Sequence, residues 1–300
     1  MKTILESTIS VAYHSFGRTI CAGAILLIGS GAPAQNLFVS TVTSIIKITP
    51  GGVESTFASG LNQPHGLAFN SAGNLFAASL DGTGTIYEFT PGGVRSTFAS
   101  GVGSPTGLAF NSAGNLFEAD HNGNIFEFTP GGVESTFASG LNQPQGLAFD
   151  SAGDLFVAGG NQSGYIYEYT TGGVKSTFNN AADNPIGLAF NSAGILFQAD
   201  ANGNSIYEFT TGGVRSTFAS GLSAPGGLAF NSAGNLFEVE LTGNSVNEFT
   251  PGGAKSTVAS GLSSPGWIAL QAVPEPSALG LLAVGVTSLL MRRRHHTKSS

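Results

Sequence analysis

The chain has 300 residues and a formal net charge of −7, and 41% of its residues are hydrophobic whereas only 10% are charged. This low charge excludes a coiled coil and a charge-rich disordered chain. The 44 glycines follow no three-residue period, which excludes collagen. With 11 basic against 18 acidic residues, the chain is a poor partner for nucleic acid. Abundant glycine between short apolar runs predicts an all-β fold rich in turns.

Residues 1–34 have the layout of a secretory signal peptide. Lys2 and Arg18 precede an apolar run at 20–28, and alanines at 32 and 34 place cleavage before Gln35. A retained N-terminal anchor is the alternative, although the run is short for a membrane span. The single cysteine lies in this segment, so the rest of the chain cannot form an intrachain disulfide.

Residues 35–272 contain a repeat of about 40 residues, the length of a β-propeller blade. The motif Gly-Leu-Ala-Phe starts at 66, 107, 146, 187 and 227, and a diverged copy starts at Gly266. Each unit reads as four short strands joined by Gly/Asn-rich turns, which supply the positive φ angles of tight hairpins. The first strand is apolar on both faces, as expected for a buried inner strand, and the fourth is polar and alternating, as expected at an outer edge.

The two ends of the repeat region complement each other. Residues 37–59 match strands two, three and four of a unit, and residues 266–270 match strand one alone. We therefore predict a six-bladed β-propeller with four antiparallel strands per blade, whose sixth blade is closed by strands from both termini. An open β-solenoid is the alternative, but it would not need matching fragments at its two ends.

The repeat resembles the NHL-type and gluconolactonase-like six-bladed propellers. The resemblance rests on Pro64-x-Gly66-Leu-Ala-Phe, on 112–117 (Ser-Ala-Gly-Asn-Leu-Phe), and on Ala119-Asp120 followed by Gly-Asn-Ile at 123–125. These are scaffold positions, so the resemblance implies the fold more than any activity.

Residues 273–300 form a second targeting segment. Pro274, Glu275 and Pro276 precede an apolar run at 277–291, and Arg292, Arg293 and Arg294 follow it. This order resembles the PEP-CTERM sorting signal. The resemblance implies export, a short transmembrane helix that anchors the chain before processing, and cleavage by an exosortase-type enzyme. An ordinary tail anchor is the alternative.

The turns differ at the two predicted ends of the ring. Within this chain the turns between strands one and two are nearly uniform, whereas the loops between strands two and three vary, and varied loops on a rigid scaffold are where binding sites are usually built. The residues before each inner-strand glycine should face the central axis on the varied rim. We therefore expect the candidate binding residues on that rim to be the following: His65, Thr106, Gln145, Asp81, His121, Asn122, Gln162 and Tyr165.

The axial positions do not resemble a metal site. They hold His65, Thr106, Gln145, Ile186, Gly226 and Gly266. Gluconolactonase-like enzymes hold a divalent metal there with carboxylate and amide ligands, but these positions contain no carboxylate and one amide, and a hard cation prefers several charged oxygens. Asp120, Asp200 and Glu240 end strand two in three units; they are weak metal candidates, and we expect them to bond to backbone amides of the next loop.

These observations predict an exported, surface-associated binding or scaffold module for an extracellular polysaccharide or a surface protein. We expect no catalytic residue and no cofactor. Two alternatives stay open: a metal-dependent lactonase, hydrolase or lyase of the same fold, in which His65 would be the general base, and a purely structural matrix protein.

Overall fold

The computed structural model describes residues 35–271, except 161–163 and 183. All regular elements in these ranges are β-strands, and they form six separate four-stranded antiparallel sheets. The predicted six-bladed β-propeller is confirmed.

Each blade consists of an inner, a second, a third and an outer strand. The inner strands are β4 (Pro64–Phe69), β8 (Pro105–Phe110), β12 (Pro144–Phe149), β16 (Pro185–Phe190), β20 (Pro225–Phe230) and β24 (Ile268–Leu270). The second strands are β1 (Leu37–Ser40), β5 (Leu75–Ser79), β9 (Leu116–Asp120), β13 (Leu155–Gly159), β17 (Leu196–Asp200) and β21 (Leu236–Glu240). The third strands are β2 (Ser44–Ile48), β6 (Thr85–Phe89), β10 (Asn124–Phe128), β14 (Gly164–Tyr169), β18 (Ser205–Phe209) and β22 (Ser245–Phe249). The outer strands are β3 (Glu54–Ser59), β7 (Arg95–Ser100), β11 (Glu134–Ala138), β15 (Lys175–Ala182), β19 (Arg215–Ser220) and β23 (Lys255–Ser260).

Blades 1 to 5 follow the chain from β4 to β23, four strands each, and blade 6 combines β24 with β1, β2 and β3. In blade 6, Leu37 pairs with Leu270 and Val39 pairs with Ile268. Each inner strand contacts the inner strand of the next blade, and β24 contacts both β20 and β4. The ring is therefore closed by one strand from the C-terminal side and three from the N-terminal side.

The register of blade 6 corrects one detail of the repeat. Ile268 pairs with Val39 as Leu67 pairs with Ala77 in blade 1. Trp267, and not Gly266, therefore occupies the inner-strand glycine position, and Gly266 occupies the axial position before it. A Trp at this place is unusual for the repeat, because a Cβ at Gly66 would collide with the carbonyl oxygen of Thr106 in the next blade.

The interfaces between neighbouring blades, which we call seams, are filled by aromatic side chains. At the seam between blades 1 and 2, Phe76 packs edge-to-face on Phe98 and on Phe110, with both ring centroids 5.0 Å away, and Phe98 packs on Phe128. The same four positions hold four rings at the seams 2/3, 3/4, 4/5 and 6/1. Such pairs add about 0.5–1.5 kcal/mol each beyond their buried area.

The ring has a turn end and a loop end. The turn end carries the connections between strands one and two and between strands three and four. There Oδ1 of Asn111 accepts the backbone N–H groups of Ala113 and Asn115, and the same two bonds recur at the equivalent positions of blades 1, 3, 4 and 5. The loop end carries the connections between strands two and three and the links between blades.

The described residues contain no helix that is long and apolar enough to cross a membrane. The predicted signal peptide (1–34) and the whole predicted sorting segment (273–300), including Pro274, Glu275, Pro276 and Arg292–Arg294, lie outside the described residues. Both segments stay predictions.

Candidate functional site

A cavity of about 440 Å³ opens at the loop end, where the inner strands meet around the axis. We call it the axial mouth. It has the size of a small-molecule pocket, which is about 300–1,000 Å³. Four of the six axial positions line it, namely His65, Gln145, Ile186 and Gly266. The remaining lining residues come from the links and from the loops of blades 5 and 6: Thr41, Val42, Gln63, Pro64, Leu241, Ser264, Pro265 and Trp267.

Thr106 is an axial residue that the structure keeps away from the mouth. Its side chain is 4% exposed, and its hydroxyl lies 2.7 Å from the carbonyl oxygen of Ala119 and 3.0 Å from that of Pro144. The hydroxyl thus links the inner strands of blades 2 and 3. These contacts hold the ring together, and the predicted role of Thr106 in binding stays a prediction.

His65 is half-buried in the mouth. Burial is the main cause that lowers its pKa below the ordinary value of 6.5, and the nearby His121 lowers it further. The lowered pKa makes the neutral imidazole the dominant form at pH 7, with one nitrogen donor and one nitrogen acceptor. The axial positions supply no second titratable residue, as predicted from the sequence, but the loop of the next blade brings His121 close enough to interact.

Trp267 is the functional candidate that sequence reasoning missed. It lines the mouth and is only partly buried. Its backbone N–H donates to Oγ of Ser40 at 2.9 Å, and its carbonyl oxygen accepts from the N–H of Ser40 at 3.0 Å, so the backbone is fixed against β1. The available signal was its uniqueness, since it is the only tryptophan of the chain and stands where the repeat has glycine.

None of the described residues that line the mouth is an Asp, Glu, Lys or Arg. Within the described part of the chain, no three His, Cys, Asp or Glu side chains lie close enough together to hold a metal ion. The donors at the axis are an imidazole and an amide, which do not match the charged oxygens that a hard divalent cation prefers. The mouth therefore fits a neutral ligand better than a metal ion.

The other predicted rim residues are dispersed. The hydroxyl of Tyr87 donates to Oδ2 of Asp81 at 2.7 Å, so this carboxylate is engaged away from the mouth. Asn122 lines a separate open depression between the loops of blades 1 and 2. Tyr165 is 6% exposed, stacks on Tyr167 and donates its hydroxyl to the carbonyl oxygen of Asn142, so it is a packing residue and is not accessible on the rim. Gln162 lies outside the described residues.

Asp120, Asp200 and Glu240 are tied to the chain itself. Oδ1 of Asp120 accepts the backbone N–H of Ser104 at 3.0 Å and the N–H of Asn122 at 3.1 Å. Oδ1 of Asp200 accepts the N–H of Gly203 at 2.9 Å, and Oε1 of Glu240 forms a salt bridge of 2.8 Å with Nζ of Lys255. These contacts agree with a role in fixing the loops.

Three buried polar residues at one position of the second strands were not anticipated. Glu118, Gln198 and Glu238 are 0% exposed and face a seam. Burial raises the pKa of Glu238 to about 7, whereas the hydrogen bond from Nδ2 of Asn247 opposes the rise. Burial also raises the pKa of Glu118, whose two carboxyl oxygens have no hydrogen-bond partner. Alternation along the strand does not reveal these residues, because every position of the second strands in blades 2, 4 and 5 is buried, whichever face of the blade it occupies.

No family model and no curated protein matches this chain. Solved structures do resemble it. A candidate gluconolactonase shares 18% identity over 69% of this chain and 81% of its own, with a TM-score of 0.61. Virginiamycin B lyase from Staphylococcus aureus shares 16% identity over 77% of this chain and 87% of its own, with a TM-score of 0.60. A streptogramin B lyase shares 18% identity over 81% of this chain and 75% of its own, with a TM-score of 0.56.

These neighbours include the gluconolactonase-like propellers that the sequence resembles. At such low identities the similarity shows the fold alone. The activities in their names are therefore not transferred to this chain by the comparison itself.

Proposed function

We propose that this protein is a non-catalytic binding module that holds a neutral carbohydrate at the axial mouth. The observation that carries the proposal is the combination of Trp267 and Gln145 in one cavity, whose described lining residues include no Asp, Glu, Lys or Arg. An indole offers a flat apolar surface for the C–H face of a sugar ring, and an amide both donates to and accepts from hydroxyl groups. The neutral imidazole of His65 adds a further donor and acceptor.

The ligand class agrees with the predicted destination of the chain. The sequences of the two terminal segments indicate export and sorting to the cell envelope, where polysaccharides are abundant ligands. We therefore place the protein, as part of the proposal, at the bacterial surface or in the secreted fraction. Cell fractionation with an antibody against the propeller tests this part independently of ligand binding.

A glycan array with the purified protein tests the binding proposal. We expect saturable binding of a neutral oligosaccharide, at least about tenfold weaker for Gln145→Ala, which corresponds to about 1.4 kcal/mol. Asn122→Ala is the matched control, since it removes an amide from the separate depression between the loops of blades 1 and 2 and should leave binding unchanged. An array on which only anionic glycans bind, or on which the two variants behave alike, contradicts the proposal.

The second candidate is a hydrolase or lyase that acts at the same mouth, and the lowered pKa of His65 in that cavity favours it. A histidine whose pKa lies below its ordinary value is a competent proton acceptor near neutral pH. Because the donors at the axis do not fit a divalent cation, this candidate predicts turnover that resists chelation. Virginiamycin B and gluconolactone are the first substrates to test, with His65→Ala as the inactive variant. Turnover that His65→Ala abolishes replaces the binding proposal by this one.

A further inference from the structure

The seam between blades 5 and 6 holds a cavity of about 480 Å³ at the turn end, opposite to the axial mouth. We call it the closing-seam pocket. The corresponding cavities at the seams 2/3 and 3/4 measure only about 220 and about 90 Å³. The closing-seam pocket is thus larger than the grooves between the blades at these two seams.

Missing aromatic rings explain the extra volume. At the closing seam Phe237 keeps its ring, but the outer-strand position holds Val258 and the inner-strand position of the next blade holds Leu270. The fourth position holds Ile48. The seam 4/5 has rings at all four places, where Phe197 packs edge-to-face on Phe218 at 5.1 Å and on Phe230 at 4.9 Å. The closing seam therefore lacks three rings that surround the equivalent phenylalanine elsewhere.

The rim of the pocket is held in place by hydrogen bonds. Oε1 of Gln35 accepts the backbone N–H of Ser232 at 2.9 Å, and Nε2 of Gln35 donates to the carbonyl oxygen of Gln271. Glu248, which also lines the pocket, is held in place because its Oε1 accepts a hydrogen bond from Nδ2 of Asn235 at 2.7 Å. The apolar base thus has a fixed polar border of amide, hydroxyl and carboxylate groups.

We propose that the closing-seam pocket is a second binding site, which takes a small neutral aromatic molecule of the phenol class. The shape argument comes from the chain itself, because a benzene-sized ring is what fills this space at the other five seams. Edge-to-face packing on Phe237 is the geometry that aromatic rings favour. A hydroxyl substituent reaches the polar border, whereas a carboxylate substituent meets the like charge of Glu248, which lines the pocket.

Calorimetry with phenol, benzoate and cyclohexanol as probes tests the ligand class on the full-length protein. We expect saturable phenol binding and at least about tenfold weaker binding of benzoate and of cyclohexanol, the second because it has no aromatic ring. Absence of saturable phenol binding overturns the proposal, and so does equal binding of all three probes.

Val258→Phe tests the location, because phenylalanine is the residue of the repeat at this position. We expect it to weaken phenol binding at least about tenfold and to raise Tm by about 2 °C or more, since it fills a cavity. Val94→Phe makes the same chemical change at a residue that is 69% exposed, and it should change neither property. If Val258→Phe does not fold, Leu270→Phe replaces it as the filling variant. A folded filling variant that binds phenol as well as the unmodified chain overturns the proposal.

Discussion

The two ends of the ring are built on the same strands, but their side chains repeat from blade to blade at the turn end and vary at the loop end. At the turn end, blades 1 to 5 share the same pair of side-chain-to-backbone hydrogen bonds, which Asn111 makes in blade 2. At the loop end the side chains around the axis change from imidazole to hydroxyl, amide, alkyl group and glycine. Repetition marks the contacts that the fold needs in every blade, and variation marks the residues that are free to meet a ligand.

The largest expected effect concerns the closure on which both ends depend. Ile268→Asp places a charge at a site that is 5% exposed, in the strand that completes blade 6. We expect the free energy of unfolding to fall by more than about 3 kcal/mol, because the buried carboxylate has no partner. Urea denaturation measures the loss.

Val53→Asp is the control for the closure. It introduces the same charge in blade 6 at a residue that is 64% exposed, and we expect a change within about 0.5 kcal/mol. A propeller with Ile268→Asp as stable as this control would contradict the closed ring.

Comparisons of stability between the two ends need a fixed pH, because Glu238 titrates inside the blades. Its folded-state pKa of about 7 lies above the ordinary 4.5, so the folded state binds a proton more tightly than the unfolded state does. The free energy of unfolding therefore falls as pH rises from about 4.5 to about 7, by up to about 3 kcal/mol, and stays low above that range.

Glu238→Gln removes the contribution of Glu238 to this dependence, with the residue that the chain already carries at Gln198 in blade 4, and leaves the contribution of the buried Glu118 in place. We expect the variant to be more stable than the unmodified chain at pH 8 and nearly equal to it at pH 4. Denaturation at both pH values measures the difference, and Glu54→Gln on the exposed outer strand of blade 6 is the control. If Glu238→Gln stabilised the protein more at pH 4 than at pH 8, the predicted direction of the pH dependence would be wrong.

A smaller effect on stability distinguishes the turn end from the loop end. Asn111→Ala removes two bonds to backbone N–H groups at the turn end, and we expect a loss of about 1–2 kcal/mol with ligand binding unchanged. Gln145→Ala at the loop end should show the opposite pattern, with stability within about 0.5 kcal/mol and binding weakened. If both variants lose stability alike, the division between the two ends is not supported.

The sequence predicts the fold far better than the site. Repetition of Gly-Leu-Ala-Phe and the complementary fragments at 37–59 and 266–270 specify the blade number and the closure. The buried polar residues at the seams could not be predicted in the same way, because every position of β9 and β21 is buried and alternation therefore does not single out Glu118 or Glu238. The sequence also predicts the rim only in part. Tyr165 and His121 both lie at or beside loops between second and third strands, but packing buries Tyr165, whereas His121 lies near His65.

Trp267 shows most clearly what the sequence alone does not predict. The pairing of β24 with β1 places Trp267 in the inner-strand glycine position, whereas a sixth copy of the motif that starts at Gly266 would place Gly266 there. Register depends on which backbone groups pair, and a short diverged strand carries too little pattern to fix it from sequence alone.

Because the chain contains a single tryptophan, its fluorescence reports on the axial mouth alone. The most direct test of the account is therefore a fluorescence titration of the full-length protein with the oligosaccharide that binds best on the array, with calorimetry in parallel. We predict a saturable change in the emission of Trp267 whose midpoint equals the calorimetric Kd. Calorimetric binding without any change in this emission would place the ligand elsewhere on the ring and contradict the proposed site.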